Sequence, residues 1–320
     1  MIDIKKHISI GFGKGELHDV LVQMQLEAGM LPISGKTYFV SAYGNNTTGL
    51  SWETAYTTIA AAIAASNTYI ALGTVAGGRN RIYIDSNGGD NWAETLTVFP
   101  NQCDMIGVGS KAGWMTTIYG ITTIGTACLG THIYNLRFIN PTTADAVITI
   151  PDGSHGFEIY KCRIRNNSGN DSSAGIKIGS LWDFTIADNF IYGNPPCVIG
   201  IELDGVACGN SEIKNNFISA TTTGIAIANG TTSDYGLVIR NNIIFRADPN
   251  SDSAMAVGID FRDTQGRTHA CVIDNRIGAV DCIQFDGTVS GNRDHWMCLG
   301  NIVSASGGVV ADWESPPTTP

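Results

Sequence analysis

Two carboxylates, Glu202 and Asp260, are the residues of this sequence best placed to do chemistry. Each takes the alternate position of a short phrase, Gly200-Ile201-Glu202-Leu203 and Gly258-Ile259-Asp260-Phe261. Similar phrases stand at 147–150, 175–178, 224–227 and 282–285. If these are stacked strands, their alternate positions form one outward column: Thr149, Lys177, Glu202, Ala226, Asp260, Gln284. Glu202 and Asp260 are then two rungs apart, about 9.6 Å at the usual strand spacing. That is near the upper limit for an acid and a base with a water between them, as in inverting glycoside hydrolysis. Arg262 and Asp263 follow directly, and Lys177 shares the column. The column also argues against catalysis, because Ala226 separates the two acids and brings no supporting polar group. A row of solvated surface charges is the simpler reading.

The elements that must hold this column are set by a second recurring phrase: apolar, two spacers, Asn, one spacer, apolar. It centres on Asn189, Asn216, Asn242, Asn275 and Asn301, and two earlier copies keep the apolar frame around Leu136 and Cys162. Successive centres from Leu136 to Asn301 are 26, 27, 27, 26, 33 and 26 residues apart. A fixed period of this size marks a stacked repeat. The alternation is Ile-rich with period two, which is the pattern of a strand with one face in and one face out. Long runs of helical periodicity are missing. Each period is therefore one turn of a parallel β-helix whose coils contact chiefly their neighbours. Asn suits the tight bend because it tolerates left-handed backbone angles. Its amide can also donate to one coil and accept from the next, which makes a ladder. These five residues are read as scaffold, not as ligand-binding groups.

The composition agrees. Of 320 residues, 43% are hydrophobic, 15% are charged and 38 are Gly, which suits a chain of many turns. A formal net charge of −10 excludes a nucleic-acid partner on electrostatic grounds. The eight Cys contain no C-x-x-C pair, so buried thiols are expected, with no metal site and no cofactor. The six His (7, 18, 132, 155, 269, 295) are scattered, and His155 reads as a turn residue. Trp114, Trp182 and Trp296 could stack on sugar rings, although packing at coil corners is the simpler role. The 33-residue interval holds a polar excess at 246–256 with Asp248 and Asp252. Loops on rigid scaffolds often bind, so Trp182, Asp248, Asp252 and Asp263 are the binding candidates. The N-terminus lacks a signal-peptide core and no apolar run is long enough to span a membrane, so synthesis in a cytoplasm without membrane insertion is expected.

Three segments result. Residues 1–36 carry a helical stripe of Leu17, Val20, Leu21, Met24, Ala28 and Leu31, which cannot bury itself alone. Residues 37–310 hold the coil, with a helix near 52–66 as its lid. Ser51 is the expected N-cap there, Glu53 lies in the first turn, and Tyr56, Ile59 and Ile63 share a face. Residues 311–320 form an extended tail.

The strand at 38–42, the Gly44-Asn45-Asn46 loop, Trp52 with Ala55 and the Ile59/Ile63 helix resemble the opening of pectin-lyase-like right-handed parallel β-helix proteins. Segments 82–85, 95–98 and 105–109 resemble the first coil of that superfamily, and the likeness extends over about residues 37–310. It implies an all-β, right-handed parallel β-helix of about 8–10 coils with an N-terminal capping helix. The superfamily spans polysaccharide lyases, hydrolases, epimerases, viral tailspikes and inert virion components. The Asn-Thr-Asp, Asp-Asp and Gly-His motifs of its hydrolases are absent here, and the column is too sparse for a lyase calcium site. The resemblance therefore implies a structural virion component of a phage or virus: a capsid decoration, fibre or tailspike. It would be made in the host cytoplasm and carried on the virion, or else be extracellular. It would join itself as a homotrimer, and join other virion proteins, through residues 1–36, and could touch host surface polysaccharide. The alternative is a polysaccharide-degrading hydrolase or lyase acting along the face of Glu202 and Asp260.

Overall fold

Each period of the sequence folds into three short strands, and the periods stack in register. The structure, a computed structural model, describes residues 35–71, 78–108, 110–111, 114–141, 146–167, 173–193, 196–205, 208–227, 236–246, 255–261, 270–285, 297–304 and 313–314. The leader at 1–34, with its helical stripe, and most of the 246–256 loop lie outside the described residues. So do Asp248, Asp252, Arg262, Asp263 and Trp296.

The first sheet runs parallel from Thr37–Val40 through Asn80–Ile84, Cys103–Gly107, Thr131–Tyr134 and on to Met297–Leu299. The second includes Leu136–Asn140, Arg163–Asn166, Phe190–Gly193 and Ile243–Phe245. The third includes Ile148–Ile150, Ala174–Ile178, Cys197–Leu203 and Met255–Phe261. Two long strands, Phe217–Ile227 and Arg276–Phe285, run from the second face onto the third. Six successive turns, from the one opening at Thr131–Tyr134 to the one opening at Ala270–Ile273, carry at least three strand residues on every face. The turns before and after are partial. Segment 95–98 makes only a bridge, from Leu96 to Thr122. At the C-terminal edge Trp313–Glu314 returns antiparallel on Met297 and Cys298. Among the described residues, no helix is long and apolar enough to cross a membrane.

Aliphatic columns fill the interior. Ile133, Ile159, Ile186, Ile213 and Ile239 are register partners on the first sheet, and Ile164, Ile191, Ile218, Ile244 and Ile277 on the second; all are buried. Each such side chain contributes about 2 kcal/mol by leaving water.

The amides pile in line as the period requires. The Asn216 Nδ2 donates to the Ile186 carbonyl at 2.9 Å and to Asn242 Oδ1 at 3.0 Å, while its Oδ1 accepts from both the backbone N and the Nδ2 of Asn189, each at 3.0 Å. The pattern repeats at Asn242 and Asn275 and ends on Asn301. At the other end the Asn189 Oδ1 accepts from the Cys162 N–H at 2.9 Å, so the ladder begins where the Asn phrase begins. One expectation is corrected. The left-handed residue of each bend is the one before the ladder amide: Asp188, Asn215, Asn241, Asp274 and Gly300 all have positive φ. The ladder Asn itself is the first inward residue after the bend, kept for its two-sided hydrogen bonding.

The lid helix also differs from expectation. It covers Ile59–Ala71, not 52–66, and turns Ile59, Ala62, Ile63 and Ser66 inward against the first two strands. Ser51 caps no helix; its Oγ accepts from the Thr54 N–H at 3.2 Å in a preceding turn that also contains Glu53. Tyr56 precedes the helix, in a bridge to Val40. Thr58 Oγ1 accepts from the Ala61 N–H at 3.2 Å, and the Glu94 carboxylate accepts from Ile59 and Ala60 at 2.8 and 3.0 Å. The anion at the helix N-terminus thus comes from 35 residues away in sequence.

Candidate functional site

On the third sheet the register pairs Thr149 with Lys177, Lys177 with Glu202, Glu202 with Ala226, Ala226 with Asp260, and Asp260 with Gln284. The column read from the sequence exists, with both acids two strands apart. Lys177 Nζ donates to Asp204 Oδ2 at 2.6 Å and lies 3.6 Å from Glu202 Oε2. The hydrogen bond to Asp204 and the charge of Glu202 outweigh partial burial and hold the Lys177 ammonium above its ordinary range. Glu202 is therefore committed to a cation. Ala226 is fully buried and Asp260 is only 7% exposed, so the solvated reading fails for Asp260.

A denser set of titratable groups lies on the outer face of the first sheet. Asp104, His132 and Glu158 are successive register partners, one period apart in sequence. His132 Nδ1 is 3.4 Å from Asp104 Oδ1, 3.4 Å from Glu158 Oε2 and 3.2 Å from the Tyr134 hydroxyl. Arg79 pairs with Asp104 through Nε, and Arg81 lies 3.7 Å from its other oxygen. Partial burial works against the Asp104 carboxylate, but hydrogen bonds from His132 and Arg79 and the charge of Arg79 hold its pKa below the usual range. Burial and the Glu158 charge push the Tyr134 phenol up to about 12, so it stays a donor. Further along this face Glu212 joins Lys214 and Arg240.

The Asp104 network carries a pH prediction. A depressed carboxylate pKa stabilises the fold above the unfolded-state pKa, and the contribution disappears as pH falls through the folded value. Asp104→Asn is expected to lose about 1–3 kcal/mol at neutral pH and much less in acid. Urea unfolding at a series of pH values checks this; a loss independent of pH would mean the carboxylate charge is not what matters.

A family model described as periplasmic copper-binding protein (NosD) matches residues 108–291, more than half of the chain. The chain belongs to the NosD family. This right-handed β-helix assignment covers the six complete turns and the whole column from Thr149 to Gln284, and leaves Asp104 outside. The chain is also similar to solved structures. Pectate lyase Pel9A aligns at 14% identity over 89% of this chain and 81% of that one, with TM-score 0.49. A deglycosylated pectin methylesterase from Aspergillus niger aligns at 16% over 88% and 92%, with TM-score 0.48. XylC in complex with xylose aligns at 15% over 64% of this chain but only 36% of its own, with TM-score 0.41. No curated protein matches the sequence significantly.

Within this NosD-family coil the remaining candidates that fall among the described residues sit in its bends and short strands. Trp182 pairs in the Leu181–Trp182 strand with Cys208 and Gly209, and a Cβ on Gly209 would lie 2.3 Å from its ring. It packs at a coil corner. His155 bridges Leu129 and Trp182 in a stack of bends. All eight cysteines are free thiols, seven buried and Cys271 half-buried. The Asp104–His132–Glu158 row was readable in principle. Their spacing of 28 and 26 residues continues the coil period before the Asn phrase begins.

Proposed function

We propose that this NosD-family chain is a rigid, non-catalytic β-helical body carried on a virion, as a decoration, fibre or tailspike-type component, or displayed outside a cell. The observation that supports a structural role is the state of the third-sheet column: Glu202 is tied to Lys177, and Asp260 is buried beyond Ala226. The virion placement follows from the superfamily resemblance and from the amphipathic stripe at 17–31. In this reading, residues 1–36 mount the body and join copies as a trimer.

The family description names copper. The donor set among the described residues does not fit it. Among the described residues no group of three His, Cys, Asp or Glu is arranged to hold a metal ion. Burial pushes the thiols of Cys103, Cys162 and Cys197 up to about 12, far from the thiolates soft copper sites use. His132 has its Nδ1 engaged by carboxylates and Tyr134.

The test is incubation of the full chain with capsular and uronate polysaccharides, scored for new reducing ends and unsaturated products. No turnover is expected, and Glu202→Gln should change nothing. Turnover abolished by Glu202→Gln or Asp260→Asn would instead establish the hydrolase or lyase alternative. Deleting residues 1–35 should remove assembly while leaving the coil folded.

A further inference from the structure

The outer face of the second sheet is unlike the rest of this acidic chain. One outward row runs Arg163, Phe190, Phe217, Ile243, Arg276, Ile302 in continuous register. A parallel row two residues on contains Arg165, Tyr192 and Phe245. Among the described positions of both rows, from Thr117 to Ile302, there is no Asp or Glu, although the chain carries a formal charge of −10. Arg163, Arg165 and Arg276 form no ion pair with a described residue, whereas Arg79, Arg81, Lys177, Lys214 and Arg240 each lie within ion-pair distance of an acid. Between Arg163 and Arg276 the face is apolar and open, with Phe190 39% and Ile243 41% exposed, and Ile302, next after Arg276, is 61% exposed. Stacking of Phe190 on Phe217 at 4.2 Å and an edge contact to Phe245 at 4.9 Å hold the rings upright.

An apolar band bracketed by cations marks an interaction surface. The choice of occupant follows from the chemistry. Another copy of the same face would set arginine against arginine. A polysaccharide needs partners for its hydroxyls, and the half-buried hydroxyls among the described positions of these rows are those of Tyr119 and Tyr192, since Ser219 is buried. A bare polyanion would leave the band of Phe and Ile in water. A lipid surface with anionic head groups satisfies both halves, since guanidinium groups meet phosphates while apolar side chains enter the acyl boundary. We propose that the second-sheet face docks the protein peripherally on an anionic lipid surface, with Arg163, Arg165 and Arg276 on phosphates and Phe190, Ile243 and Ile302 at the acyl boundary. This goes beyond the structural role above and fails independently of it, because vesicle binding does not depend on whether any glycan is cleaved.

The experiment is co-sedimentation of the full chain with vesicles of equimolar phosphatidylcholine and phosphatidylglycerol, against phosphatidylcholine alone. Binding is expected to the mixed vesicles only, and to weaken with salt. Arg163→Gln with Arg165→Gln should lower it about tenfold or more, and Arg163→Lys with Arg165→Lys should retain most of it. Ile302→Ser with Ile243→Ser should weaken it comparably, with the unfolding transition showing each variant folded. Equal binding to both vesicles, no binding, or binding instead to polygalacturonate or single-stranded DNA would overturn the proposal. Self-association abolished by Ile243→Ser would do the same, and give the face to a second copy.

Discussion

Replacing Asn216 by Asp is expected to unfold much of the coil at neutral pH, in a chain whose parent remains folded. Asn216 is 1% exposed and uses its whole amide. It donates to Ile186 O and Asn242 Oδ1 and accepts twice from Asn189. Asn216→Ala already strands the Ile186 carbonyl and the Asn189 backbone N–H in an aliphatic interior. At about 1–3 kcal/mol for each unsatisfied buried group, the loss is about 3–6 kcal/mol, a large share of a typical domain's stability. Asn216→Asp retains the acceptor but loses the donor, and adds a charge where the ladder holds only neutral amides. The buried carboxyl would have a raised pKa, so the variant gains stability below its unfolded-state pKa and loses it as pH rises through the folded value. Denaturant midpoints measured against the parent at matched pH are the check. The deficit should shrink in acid for Asp but not for Ala, while Asn45→Ala on an exposed loop should shift stability by less than about 0.5 kcal/mol. Equal, pH-independent losses for both Asn216 variants would mean that the ladder contributes shape, not hydrogen bonds.

The reason so much of the fold is legible in the sequence lies in this ladder. A residue used identically on every turn must recur at the coil period, so Asn189 to Asn301 reveal the register, and the third-sheet column follows by counting. What the period does not encode is contact between distant segments. Glu94 caps the helix at Ile59 from another coil, which is why the helix begins later than Ser51 suggests. Lys177 could have reached either neighbour; its commitment to Asp204 and Glu202 is a matter of side-chain geometry. The row of Asp104, His132 and Glu158 begins before the Asn phrase, and three different residue types leave no repeated letter to notice. That the described positions of two second-sheet rows contain no acid is visible only as an absence, and absences acquire meaning once register says which residues are neighbours. Function is the least encoded, since one fold can host many unrelated functions.

The Gly at the head of four of the six third-sheet phrases (Gly175, Gly200, Gly224 and Gly258) gives the other large effect: Gly224→Ala is expected to destabilise the coil by about 3 kcal/mol. A Cβ on Gly224 would lie 2.2 Å from the Ile244 Cγ2 methyl and 2.6 Å from the Gly258 carbonyl oxygen. The same geometry holds at Gly175 against Ile191, Gly200 against Ile218 and Gly258 against Ile277. The second and third sheets converge there too closely for a side chain, so glycine is kept for space and not for an unusual backbone angle. The methyl half of the clash can be removed and the carbonyl half cannot. Ile244→Leu deletes Cγ2 at nearly constant volume, and alone should cost less than about 1.5 kcal/mol. Combined with Gly224→Ala it should recover part of the loss, giving a favourable coupling in a double-mutant cycle. Gly125→Ala is the matched control, because a Cβ there meets nothing within 4 Å. If guanidinium midpoints show Gly224→Ala to be as harmless as Gly125→Ala, the two sheets do not approach as closely as drawn. If the double variant recovers everything, the backbone carbonyl yields and the methyl alone sets the limit. Partial recovery is the outcome that requires both contacts, and it ties the glycine column to the same interior that the amide ladder stitches together.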